Sequence, residues 1–108
     1  MTYANTPTPT ALRLMADREI TTCECEGCNN PAEQAHHCLY RRDKRYPELN
    51  DDENLELVCI ECHFVTGKAD SWENRVWFWS VQCNRYGKSH MLKWHSELPI
   101  KCKEQAYK

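Results

Sequence analysis

Two short apolar stretches that suit strands, followed by a long run at helical spacing, organise this chain. Ala35-His-His-Cys-Leu-Tyr40 is short, apolar and aromatic and predicts one limb of a small hairpin. Leu55-Glu-Leu-Val-Cys59, with Leu55 and Leu57 alternating with Glu56 and Val58, predicts the return limb. Turn signals stand at Gly27-Cys-Asn-Asn-Pro31 and Pro47-Glu-Leu-Asn-Asp-Asp52. The run His63-Phe-Val-Thr-Gly-Lys68 predicts a short helix packed on the hairpin.

The last third reads as helical. Asp70 is a suitable N-cap with Glu73 three positions on, and Gly87 a natural stop, so a helix is expected over Ser71 to Tyr86. Trp72, Val76, Trp79 and Cys83 fall at helical spacing, with Trp77 and Phe78 widening the face, and this stripe reads as core rather than as a base-stacking platform. A second helix is expected from after Ser89 to Leu98-Pro99, burying Met91, Leu92, Trp94 and Leu98. At the other end, Ala11 to Ile20 suits a short amphipathic helix, while residues 1 to 10, with their two Thr-Pro steps, suit an extended or frayed tail.

A chain of 108 residues makes one domain with a small core. Residues 1–21 are expected as tail and short helix, 22–70 as a metal-stapled unit, and 71–108 as a helical extension packed on it. The predicted class is α+β. Its apolar content lies largely in four tryptophans, five tyrosines and eight cysteines, so a staple is expected.

Eight cysteines permit disulfides or metal, and the compartment decides. The N-terminus has no basic segment followed by an apolar one, and no stretch suits a membrane span, so a reducing, cytoplasmic setting without membrane partners is expected. In that setting Cys25-x-x-Cys28 and Cys59-x-x-Cys62 predict a closed four-thiolate structural zinc site. Cys23 offers a competing Cys-x-Cys arrangement with Cys25, a poorer chelate turn, so Cys25 with Cys28 is preferred. Cys38, Cys83 and Cys102 have no knuckle partner and read as indifferent thiols.

The net charge of -2 argues against a polyanion binder held by overall charge alone. Distribution changes the picture. Acidic residues concentrate between Glu48 and Glu56, while Arg41, Arg42, Lys44 and Arg45 cluster just after the histidine pair. On a strand His36 and His37 point to opposite sides, so one can bind a metal while the other faces a water. His63 follows a knuckle cysteine directly, which fixes its backbone.

The pattern Cys25-x-x-Cys28, Ala35-His36-His37, Asn54-Leu55-x-Leu57-x-Cys59-x-x-Cys62-His63, then Lys68, resembles the HNH endonucleases of the ββα-metal type, in the subgroup stapled by a four-cysteine zinc. Colicin-type DNases have a similar His-His pair, and phage recombination endonucleases have similar knuckles. The resemblance covers about residues 23 to 70 and implies a small treble-clef-like fold. It implies His37 as general base, Asn54 holding the imidazole or the hairpin loop, and His36 and His63 on one catalytic divalent ion. Asn50 competes with Asn54 for the orienting role. The terminal helix offers no evident third ligand, since Gly67 stands one turn after His63.

The resemblance further implies hydrolysis of DNA to 5′-phosphate and 3′-hydroxyl ends. The ion would be Mg2+, Mn2+, Ni2+ or Zn2+. Arg41, Arg42, Lys44, Arg45 and Lys68 are the candidate DNA contacts. A monomer would nick, and a homodimer would cut both strands; a phage or mobile-element origin suits the size. The competing readings are a noncatalytic zinc module that binds nucleic acid or protein, and a redox-sensing zinc switch.

Overall fold

The computed structural model describes residues 7–99 and is an α+β arrangement of a two-stranded sheet with helices around it. Helix α1 runs Pro9–Arg18, strand β1 Gln34–His37, strand β2 Leu55–Val58, helix α2 Trp72–Tyr86 and helix α3 Lys88–Glu97. Among the described residues no helix is long and apolar enough to cross a membrane. The predicted feature at Cys102 and most of the predicted N-terminal tail lie outside the described residues.

The second Thr-Pro step starts α1 rather than fraying. The Thr8 side chain accepts from the Ala11 N–H at 3.3 Å, and Pro9 takes the first helical position, where its missing N–H costs nothing. The helix stops at Glu19 in the left-handed region (φ 57°). Ala11 and Leu14 then pack on Ala32, Leu55 and Leu57, which seats α1 against the sheet.

The strands pair antiparallel with Gln34 opposite Val58, Ala35 opposite Leu57, His36 opposite Glu56 and His37 opposite Leu55. The first limb is shorter than its apolar run, because Asn54 captures the backbone beyond His37. Its side-chain oxygen accepts from Tyr40 N–H at 2.8 Å, and its amide donates to the carbonyls of Tyr40 (2.9 Å) and Leu49 (2.8 Å). Fully buried, Asn54 closes the 38–54 connection on itself.

After β2 the helix expected over 63–68 is a five-residue π-helical segment, Glu61–Val65, followed by Gly67 at φ 71°. That conformation is one a side chain disfavours, and it turns the chain toward α2. The N-cap of α2 is Ser71, not Asp70: Ser71 Oγ accepts from Asn74 N–H at 3.1 Å. Asp70 is thereby left for other contacts.

The buried face of α2 also differs from the expected aromatic stripe. Asn74, Phe78 and Gln82 are buried, while Trp72 is 60% and Val76 51% exposed. The reason is that the loop beneath α2 presents carbonyls that need donors. Gln82 donates to the carbonyls of Asp52 (3.2 Å) and Glu53 (3.0 Å), and Asn74 to that of Ala69 (3.1 Å). Phe78 joins Tyr40, Leu49, Met91, Trp94 and Leu98 in the principal core. Leu92, expected inside, is half exposed, so α3 buries a narrower face than its composition suggests.

A buried ion network ties these elements together. Glu24 receives Arg18 of α1 (2.7 Å), Arg85 of α2 (2.5 Å) and the Leu57 N–H of β2 (3.0 Å). It lies beside the cysteine loop, so both helices are fastened to the segment that carries the thiols.

Candidate functional site

The cysteine loop is shaped by backbone bonds before any metal is considered. Cys23 N–H donates to the Asn30 carbonyl (2.8 Å), Glu24 N–H to the Leu57 carbonyl (2.7 Å), and Cys28 N–H to the Cys25 carbonyl (3.0 Å). Residues 22 and 31 form a bridge across the base of the loop. On the other side, the Cys62 N–H donates to Cys59 Sγ at 3.3 Å and the Asn30 amide to the same sulfur at 3.6 Å.

Among the described residues, one group of metal-ligand type is brought together: the thiols of Cys23, Cys28, Cys59 and Cys62, all within 4.8 Å of one another. A tetrahedral zinc with Zn–S bonds of about 2.3 Å has S···S edges of about 3.8 Å. Cys28 Sγ and Cys59 Sγ lie 3.8 Å apart. The donor set therefore fits a structural zinc.

The ligand set differs from the expected one at one position, where Cys23 takes the place assigned to Cys25. Because Glu24 spends its N–H on Leu57 and its side chain on the arginines, Cys23 and Cys25 both turn inward and are buried. Cys25 Sγ donates to Glu56 Oε1 at 3.9 Å. The neighbouring Cys25 draws the Cys23 thiol below its ordinary range, while the neighbouring Cys23 and burial beside Glu56 push Cys25 above its own. Cys23 is thus the readier thiolate. The Cys-x₄-Cys spacing was visible in the chain, but the tighter Cys-x-x-Cys turn masked it.

The histidines converge beside this cluster. His36, His37, His63, Asp70, Arg41 and Arg42 line a cleft of about 490 Å³. The His36 and His63 rings are 5.0 Å apart at 60°. His36 Nε2 lies 3.1 Å from the Ala69 carbonyl and 3.3 Å from Asp70 Oδ1. His63 Nδ1 is buried with no hydrogen-bond partner among the described residues. Burial lowers His36 to about 4, helped by His63 and opposed by Asp70, and burial lowers His63 as well. Both imidazoles are therefore neutral near pH 7, the form that binds metals.

His37 sits on the rim between this cleft and a second hollow of about 370 Å³ that contains Asn50. Its Nε2–H donates to Asn50 Oδ1 at 2.9 Å. The neutral ring then keeps its lone pair on Nδ1. Asn50 thus orients the imidazole, while Asn54 holds the loop that carries Asn50. Asp70, read from the sequence as a helix cap, is the carboxylate that sequence reasoning passed over; the residue after it, Ser71, was the better cap.

The basic residues separate by contact. Arg41 and Arg42 line the histidine cleft and are exposed. Arg45 folds back on Asp43 (2.8 Å) and lies over the Tyr46 ring. Lys68 donates to the Glu26 carbonyl, which clamps the cysteine loop. Lys44 is exposed and outside the cleft lining.

Comparison with known proteins finds no matching family model, curated protein or solved structure.

Proposed function

We propose that this protein is a metal-dependent endonuclease of the HNH type, with a treble-clef-like ββα-metal core, that hydrolyses phosphodiester bonds in DNA. The observation that carries the reading is the convergence of His36, His37, His63 and Asp70 with Arg41 and Arg42 in one open cleft. A noncatalytic zinc module needs the four thiols but has no use for an oriented imidazole beside two neutral histidines and a carboxylate.

His36, His63 and Asp70 are the residues that would hold a divalent ion. The orphaned Nδ1 of His63 and the exposed carboxylate of Asp70 support that ion site, which His36 joins once its Nε2 gives up its bond to the Ala69 carbonyl. When bound, such an ion supplies Lewis-acid polarisation of the phosphate and charge stabilisation at the leaving oxygen.

The chain's own residues do the rest. His37 Nδ1 accepts the proton of the attacking water, while the bond from Nε2–H to Asn50 fixes the ring and stabilises the imidazolium that forms. Arg41 and Arg42 hold the nonbridging oxygens and set the register of the strand. Asn54 acts at one remove, by keeping the Tyr40–Asn50 connection in place. Cleavage this way leaves a 5′-phosphate and a 3′-hydroxyl.

Incubating labelled DNA with the zinc-loaded protein and added magnesium or manganese tests the reading. Cleavage lost in Asp70→Ala and His37→Ala supports it. Cleavage that survives both substitutions removes the proposed site.

A further inference from the structure

Phe78, Trp79 and Cys83 of the expected stripe pack in or against the core, but Trp72 and Val76 line an open hollow instead. Trp72, Val76 and Trp79 of α2 form one wall and Leu39 and Tyr40 the floor of a cavity of about 170 Å³, with Arg75 at its edge. Trp72 and Val76 are largely exposed, whereas Leu39 and Tyr40 are buried. Its lining includes Arg75 and His95 and no carboxylate. An aromatic-walled hollow with the Arg75 guanidinium at its edge suits a flat ring attached to an anionic backbone.

Its place in the chain links it to the cleft. Leu39 and Tyr40 run directly into Arg41 and Arg42, and Trp72 stands two residues after Asp70, so the same two segments line both cavities. We propose that this hollow seats an unpaired nucleobase whose flanking phosphate is held by Arg41 and Arg42, which makes single-stranded or locally unpaired DNA the preferred substrate. A base inside a duplex is stacked and paired and has no free face to offer Trp72. An extruded or single-stranded base stacks on an aromatic side chain whatever its sequence.

The inference deepens the nuclease reading and depends on it for the position of the scissile phosphate. It is tested by binding alone. The zinc-loaded full chain, with no other divalent ion added, is titrated into a labelled mixed-sequence single strand and into its blunt duplex, with fluorescence anisotropy as the readout. Tighter binding to the single strand is expected. Trp72→Ala weakens that binding roughly 5- to 150-fold, the range for loss of one stacked base. Duplex binding changes less than twofold, and Trp72→Phe restores the single-strand preference.

Equal loss on both DNAs, or no loss on either, overturns the proposal. So does a protein dimer in sedimentation that Trp72→Ala dissociates, because the hollow would then seat a second copy of the chain. If single-strand binding behaves as expected but no ion supports cleavage, the nuclease reading fails while the base seat stands.

Discussion

Replacing Glu56 with glutamine makes the protein's stability less sensitive to pH, and the size of the effect follows from the site. Glu56 is fully buried opposite His36, its Oε1 accepts from Asn74 at 2.7 Å, and its Oε2 has no hydrogen-bond partner among the described residues. Burial raises its carboxyl from 4.5 to about 8, with the Asn74 bond opposing the shift. In the native state the proton stays on until about pH 8, whereas the unfolded chain releases it near 4.5. The native state therefore binds more protons across that interval, and Glu56 makes folding progressively less favourable as pH rises through it. Integrated from pH 5 to pH 7.5, the differential is about 3 kcal/mol. Denaturant unfolding of the zinc-loaded wild type and Glu56→Gln at both pH values measures it. Protonation of the metal thiolates affects both proteins and cancels in the difference. The variant should gain about 3 kcal/mol on the wild type between pH 5 and 7.5. A difference that stays flat over this range would refute a neutral buried carboxyl.

The remaining expectations concern the thiols, the ion network and the two asparagines. Cys23→Ser should lose the bound zinc and Cys25→Ser should keep it, as read by metal analysis after desalting; the reverse result would restore the tighter turn as the ligand pair. Glu24→Gln should lower stability by about 3 kcal/mol in urea unfolding, because it removes the charge between Arg18 and Arg85; a change below about 1 kcal/mol would show that the network is not cooperative. Asn54→Ala should cost about 3 kcal/mol, one for each side-chain bond, whereas exposed Asn50→Ala should leave the urea midpoint nearly unchanged and lower cleavage. Equal stability losses in both would contradict the division of roles.

Where the sequence could be read, the signal was local. The two strands are set by short apolar runs, and the knuckle at Cys59 and Cys62 by a turn whose own N–H bonds its sulfur. The misreadings share a different cause, because each depended on what the rest of the chain presents. Cys23 displaces Cys25 since the cysteine loop docks on β2 through Glu24, a register no spacing rule reveals. The face of α2 is partly polar because Gln82 serves the carbonyls of Asp52 and Glu53 and Asn74 serves Glu56 and the Ala69 carbonyl, and hydrophobic periodicity does not register a buried amide. The histidine pair and His63 were visible as a set, but Asp70 was hidden behind its resemblance to a cap. The same shift of helix face moved Trp72 and Val76 out of the core and into the wall of the Trp72 hollow, while Phe78 stayed inside.

Cleavage of supercoiled plasmid bears most directly on the proposed activity. The purified protein, stripped of loosely held ions but zinc-loaded, is given magnesium, manganese, nickel or zinc beside His37→Ala with the same zinc content. Metal-dependent nicking or linearisation, reduced about 10²- to 10⁴-fold in the variant, is the expected result for a general base at His37. A folded, zinc-loaded protein that cuts neither plasmid nor single-stranded nor branched DNA with any of these ions would contradict it and leave a zinc module that binds without catalysis.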